Sequence, residues 1–183
     1  MRIIGIDPSL VNTGLISLEG TPGSWVLSKL YLHTTESAKS TTEKIRKNYD
    51  DLDRARDLRN AILYFVEDSD FICVEIPQIG GADMQARSMW MSGIVLGIVA
   101  SLPPEKLVYL TPAEVKKVTG NKTASKEDMC TWAYSLYPDA AWPSRKCKGA
   151  IEKLKKNHHL ADALACTVAG LAKKEMWLKA LPS

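Results

Sequence analysis

The sequence predicts a mixed α/β fold: one five-stranded sheet that joins an antiparallel three-strand meander to parallel strands, with helices flanking it. Three observations carry this reading. Short apolar, β-branched runs open the chain and recur near residues 71 and 107, the first runs are joined by turn residues, and the later ones alternate with stretches of helical periodicity. The resulting order is βββαβαβααα. With 183 residues, 45% of them hydrophobic and 25% charged, the chain suits a single domain over 1–183 with a large core. Collagen, fibrous repeats and wholesale disorder are excluded by the same composition.

The run RIIGID at Arg2–Asp7 ends before Pro8 and reads as a first, central strand buried on both faces. Asn12–Leu18 and Ser24–His33 read as two further strands joined by a turn at Glu19–Gly23. From Thr41 to Glu67 the apolar positions Ile45, Tyr49, Leu52, Ala55, Leu58, Ile62 and Phe65 recur at helical spacing and predict one long amphipathic helix. FICVEI at Phe71–Ile76 is the next covered strand, ended by Pro77. Asp83–Leu102 predicts a helix apolar on most sides. Leu107–Leu110 predicts a short strand, and Thr111 before Pro112 is a helix N-cap. A helix over Ser125–Leu136 opens on a Ser-x-x-Asp cap, a Pro- and Lys-rich stretch runs to Lys156, and a last helix spans about His159 to Leu181.

The most apolar stretch, Met89–Leu102, is interrupted by Ser92, Gly93 and Gly97 and is too short to cross a hydrocarbon layer of roughly 30 Å. Asp7 breaks any secretory apolar region at the start, so a cytoplasmic protein without a membrane is expected. Cys73, Cys130, Cys147 and Cys166 lack the close pairing of zinc or redox motifs and fit reduced thiols. The net charge of +3 is unevenly placed: the first 100 residues hold 10 Lys+Arg against 13 Asp+Glu, and the remainder 14 against 8. A basic second half is consistent with a polyanionic partner.

Three acids stand where the pattern places a strand end or a helix start: Asp7, Glu75 and Asp162. An Asp that ends a strand is commonly a turn residue, but Glu closing an apolar strand is rare unless it is paired or liganded. Asp162 would also complement its helix dipole, by about 0.3–1 kcal/mol. If the strands of Asp7 and Glu75 are neighbours, both carboxylates emerge at one sheet edge. His159, three residues before Asp162, shares its helix face, while His158 points elsewhere, to solvent or phosphate. Grouped carboxylates repel by roughly 4 kcal/mol per pair at 4 Å and an effective dielectric near 20, so a cation is expected among them. Oxygen donors suit Mg²⁺ or Mn²⁺, and an imidazole tilts the preference toward Mn²⁺. Two such ions would activate water against a phosphodiester. Between residues 145 and 156, Arg145, Lys146, Lys148, Lys153, Lys155 and Lys156 face a single acid, Glu152, which favours phosphate contacts over an ordinary solvated loop. Trp90, Met84 and Met89 read as core or subunit-contact residues, and Gly93 and Gly97 would let a helix approach closely, from the same chain or across a two-fold axis.

GIDPSLVNTG at Gly5–Gly14, VEIPQ at Val74–Gln78 and HHLADALA at His158–Ala165 resemble the RuvC-type Holliday-junction resolvases of the RNase H-like nuclease superfamily. The stretch Pro112–Met129 is similar in layout to the family's basic segment. The resemblance implies an RNase H-like fold, a homodimer, and metal-dependent nicking of two strands in a four-way DNA junction, leaving 5′-phosphate and 3′-hydroxyl ends. It also implies that Asp7, Glu75 and Asp162 are catalytic ligands of two Mg²⁺ or Mn²⁺ ions, that His159 fills a place some members give to Asp, and that Lys116 and Lys126 contact DNA. Lys122 and the basic stretch would hold the junction arms through phosphates. Pro77, Gln78, Ile79 and the Gly80-Gly81 pair stand where bacterial members carry an aromatic residue. The long basic segment suits a phage or other viral source acting in a host cytoplasm. A same-fold nuclease for other branched or flap DNA, or a catalytically silent junction binder, are the alternatives.

Overall fold

The β-branched run Arg2–Asp7 (β1) lies at the centre of a five-stranded sheet of order β3-β2-β1-β4-β5, with β2 at Asn12–Thr21, β3 at Ser24–Thr34, β4 at Phe71–Glu75 and β5 at Leu107–Leu110. The structure, a computed structural model, describes residues 1–36, 47–77, 85–147 and 149–173. β1, β2 and β3 pair antiparallel, and β4 and β5 continue the sheet in parallel with β1. The mixed sheet is therefore as expected. Its first hairpin is tighter than the turn residues suggest: the strands run to Thr21 and from Ser24, leaving Pro22 and a positive-φ Gly23 as the turn.

Side-chain alternation splits the core into two layers. Ile4, Ile6, Ile72 and Val74 pack on one face with Leu58 and Ile62 of α1 (Lys47–Val66) and Val95, Ile98 and Val99 of α2 (Ala86–Ala100). Ile3, Phe71 and Cys73 pack on the other with α4 (Lys126–Leu136) and α5 (Asn157–Ala172). The caps expected at Thr111 and Ser125 both form reciprocal capping boxes, with Glu114 and Asp128, at the starts of α3 (Pro112–Lys117) and α4.

Several expectations need correction or stand outside the described residues. In α1, Leu58, Ile62 and Phe65 are buried but Tyr49 and Leu52 are exposed. The side chain drawn inward there is Asp51, wholly buried, which accepts both terminal nitrogens of Arg87 and, at 3.2 Å, the indole N–H of Trp90. An ion pair to the next helix, not the apolar stripe, sets the orientation of that end. Trp90 and Met89 are half-exposed, so neither is a core residue, and a Cβ at Gly93 or Gly97 would meet nothing within 4 Å, so no helix of the same chain approaches there among the described residues. The Pro- and Lys-rich stretch holds a two-stranded hairpin, β6 (Ser144–Cys147) and β7 (Ala150–Lys153), that the sequence pattern did not reveal. Ile45, Met84, Gln78 to Gly81, Lys148 and the final residues of the expected last helix lie outside the described residues.

Candidate active site

Strand alternation brings the first two acids to one face. Ile3 faces α5, and Ile4 and Ile6 face α1 and α2, so Gly5 and Asp7 continue the α5 side. On β4 the same count puts Phe71, Cys73 and then Glu75 on that side. The β1–β4 ladder ends with Ile6 opposite Val74, so Asp7 and Glu75 follow on adjacent parallel strands at their carboxyl ends.

Helix α5 brings the other two residues because its backbone rests directly on the sheet. A Cβ at Gly14 would lie 2.0 Å from the His159 carbonyl oxygen, and one at Gly5 would lie 2.0 Å from that of Ala163 and 2.1 Å from Thr167 Oγ1. Only glycine fits at either position. Since Gly14 pairs with Asp7 across β1 and β2, its contact with His159 delivers the start of the helix to the end of the strand. Asp162, one turn later, stays on the His159 side.

Asp7 Oδ2 accepts a hydrogen bond from His159 Nδ1 at 2.6 Å, and both side chains are 18% exposed. The bond fixes the ring and leaves Nε2 as its free nitrogen. Burial first, and then the charges of Asp7 and Asp162, push the Glu75 carboxyl up to about 8. Burial and the charge of Asp7 push Asp162 up to about 7, against the opposing pull of His159, Lys116 and Lys126. The acids therefore share one field, and two of them resist ionisation, first because they are buried and then because they face one another. His158 stacks beside His159, 4.0 Å between ring centroids, but its Nδ1 turns to the Lys155 carbonyl oxygen at 2.9 Å.

The donor set, three carboxylates and one imidazole with unmet negative potential, fits a hard divalent cation in chemistry and charge. Among the described residues no three His, Cys, Asp or Glu side chains stand in ready-made ligand geometry, so the fit is one of donors and field and not of a closed cage. A concavity of about 660 Å³ lined by residues including Arg2, Tyr31, Tyr64 and Phe65 lies at the amino end of β1, away from these acids.

The cations divide by position. Lys116, half-buried on α3, acts on both Glu75 and Asp162, and Lys126, exposed at the start of α4, acts on Asp162 and His158. Lys122 is exposed in the α3–α4 connection. Arg145 and Lys146 on β6, Lys153 on β7, and Lys155 and Lys156 beyond it are exposed on and beside the hairpin, and Lys148 falls outside the described residues. Sequence reasoning missed the fastening of this hairpin. Asn157, wholly buried, donates through Nδ2 to the Pro143 carbonyl oxygen at 2.9 Å and to Tyr134 Oη at 3.1 Å, and the Lys153 ammonium sits 3.5 Å from the Tyr134 ring centroid. An Asn directly before the His pair at the start of an apolar helix was the available signal.

No protein-family model matches the chain, and neither does any curated protein. Among solved structures, RuvC of T. thermophilus in complex with a Holliday junction substrate is similar at a TM-score of 0.59 and 21% identity, over 92% of each chain. The fold is RuvC-like. A second Thermus thermophilus RuvC structure gives 0.54 and 22%, over 92% of each chain, and the yeast mitochondrial Holliday junction resolvase gives 0.57 and 15%, over 98% of this chain and 79% of that one. The RuvC architecture is RNase H-like, with the mixed sheet and flanking helices found here. No described helix is long and apolar enough to cross a membrane.

Proposed function

We propose that the chain is a single nuclease domain over 1–183 that resolves four-way DNA junctions by paired symmetric nicks. The observation that carries this reading is the meeting of Asp7, Glu75, Asp162 and His159 in one electrostatic field at the carboxyl ends of β1 and β4. The solved neighbours described as acting on or bound to Holliday junctions support the choice of substrate.

Asp7, Glu75, Asp162 and His159 would hold two Mg²⁺ or Mn²⁺ ions. Bound there, the ions supply activation of water and stabilisation of the leaving oxygen of a phosphodiester. Asp7 orients the His159 ring through Nδ1, and Lys116 tempers the negative potential that would otherwise repel the phosphate. Lys122, Lys126, Lys148 and the cations Arg145, Lys146, Lys153, Lys155 and Lys156 hold junction arms through phosphates, contacts that carry no base sequence. A homodimer supplies two such centres. Its contact is the exposed stripe Met89, Trp90, Gly93 and Gly97 on α2, where the glycines leave room for a second helix.

The test is cleavage of labelled four-way, Y-shaped and linear DNA with Mg²⁺ or Mn²⁺. Selective, symmetric nicking of the four-way substrate is expected, abolished in Asp7→Asn with junction binding kept. Normal nicking by Asp7→Asn would remove that residue from the chemistry, and equal cutting of all three substrates would overturn the substrate assignment.

A further inference from the structure

The hairpin β6–β7 carries an apolar side chain in an unusual setting. Ile151 is 80% exposed on a ribbon whose two strands carry Arg145, Lys146 and Lys153. Register places Lys146 directly opposite Ile151 and Ser144 opposite Lys153, so Lys146, Ile151 and Lys153 share one face of the ribbon. Arg145 and Glu152 occupy the other face, paired at 3.4 Å, so the hairpin's single acid is taken up by its cross-strand cation.

The face that carries Ile151 and Lys153 meets α4 at its base. Lys153 lies over the Tyr134 ring of α4, and Cys130, one turn before Tyr134, feels the charges of both Asp162 and Lys153. Ile151, two residues nearer the tip than Lys153, extends past that contact into solvent. The base of the ribbon is held firmly: the Leu154 N–H donates to the Pro143 carbonyl oxygen at 3.0 Å, and buried Asn157 ties Pro143 to Tyr134. A ribbon clamped at its base in this way has less conformational entropy to lose on binding.

From this arrangement we infer that Ile151 is a wedge that enters the base stack of branched DNA, with Lys146 and Lys153 seated on the flanking phosphates. Two-stranded ribbons fit DNA grooves, and apolar wedges of this size part base steps in bent or distorted duplexes. Charge complementarity selects DNA as the occupant: Lys146 and Lys153 share the face of one exposed apolar side chain, and Lys155 and Lys156 follow the ribbon in the chain, which suits a polyanion with stacked, apolar bases inside it. At a branch point the stack is already interrupted, so the insertion costs least there. The inference rests on the proposed action on branched DNA and assigns a distorting residue to it.

The experiment uses the full chain in EDTA with a four-way junction carrying 2-aminopurine at the branch, whose fluorescence rises on unstacking. Wild type should raise the signal at saturation. Ile151→Ser and Ile151→Lys should lose most of the rise, about fivefold or more, while Ile151→Phe keeps it. Ile151→Lys should still bind at least as tightly at low salt, separating attraction to phosphate from insertion. Melting temperatures equal to wild type confirm folding, as an 80% exposed side chain allows. A wild-type rise in Ile151→Ser would overturn the inference, and so would a loss of dimer in sedimentation with fluorescence unchanged, which would make Ile151 a subunit contact. Failure of wild type to bind the junction at all would instead remove the functional reading and the wedge together.

Discussion

The two faces of the sheet bury carboxylates by opposite means. On the α1 and α2 face, Asp51 is enclosed with a tethered counter-ion, the Arg87 guanidinium, and the surrounding core is interdigitated side chains such as Leu58, Ile62, Ile72 and Val95. On the α5 face the helix lies backbone to backbone on Gly5 and Gly14, and among the described residues Asp7, Glu75 and Asp162 meet with His159, Lys116 and Lys126 to offset them. A carboxylate with its own guanidinium contributes structure. One left short of positive charge keeps its lone pairs available to a cation from solution.

The glycines offer the sharpest way to break this contrast. Gly5→Val should destabilise the protein by about 3 kcal/mol or prevent folding, since its Cβ meets helix backbone that cannot yield. Gly97→Ala, in open space on a helix, should instead stabilise the free subunit by about 0.5–1 kcal/mol. Urea unfolding measures both, and similar effects at the two sites would dissolve the distinction between the faces. Next in size, Arg87→Ala leaves buried Asp51 without its bidentate donor and should lower the urea midpoint, by less than for a fully buried pair because Arg87 is 42% exposed.

Acidity separates the faces by sign. The Arg87 hydrogen bonds hold the Asp51 carboxyl below its ordinary value, so its contribution is complete above about pH 4 and is lost as pH falls through the lowered folded value. Glu75 and Asp162 are raised, so the folded state binds more protons than the unfolded one between roughly pH 4 and 8, and stability without metal falls as pH rises through that window. Urea midpoints should therefore decline toward pH 8 in EDTA, with the slope reduced in a Glu75→Gln, Asp162→Asn double variant. Removal of the acid-side loss by Asp51→Asn, with the alkaline decline untouched, would complete the separation. The smallest expected effect is in Lys116→Met, where a carboxyl NMR titration should show Glu75 displaced further upward. No displacement would mean that Lys116 does not share the field.

Much of this architecture was legible because local chemistry and tertiary need agree. RIIGID is β-branched where the sheet is covered on both faces, and Thr111-Pro112 and Ser125-x-x-Asp128 mark helix starts by the hydrogen bonds they make. Periodicity misplaced Tyr49 and Leu52 because it cannot register a partner 36 residues away, the distance from Asp51 to Arg87. The hairpin at Ser144–Lys153 was hidden because both its faces are largely exposed, so SRKC and AIEK show no alternation of apolar and polar residues. At the candidate site the acids were legible at strand ends and a helix start. The glycines were read only as part of a motif, because a close approach of helix backbone leaves no trace in composition. Their reason emerges from the 2.0 Å a methyl carbon would have to the helix.

The bond from Asp7 to His159 joins residues 152 positions apart in the chain. A ribosome could release the meander, the fourth and fifth strands and four helices while the first carboxylate still waited for its imidazole. The acid centre is thus among the last features to assemble in the growing chain, and a product halted before Asn157 would carry every strand of the sheet with no means to build it.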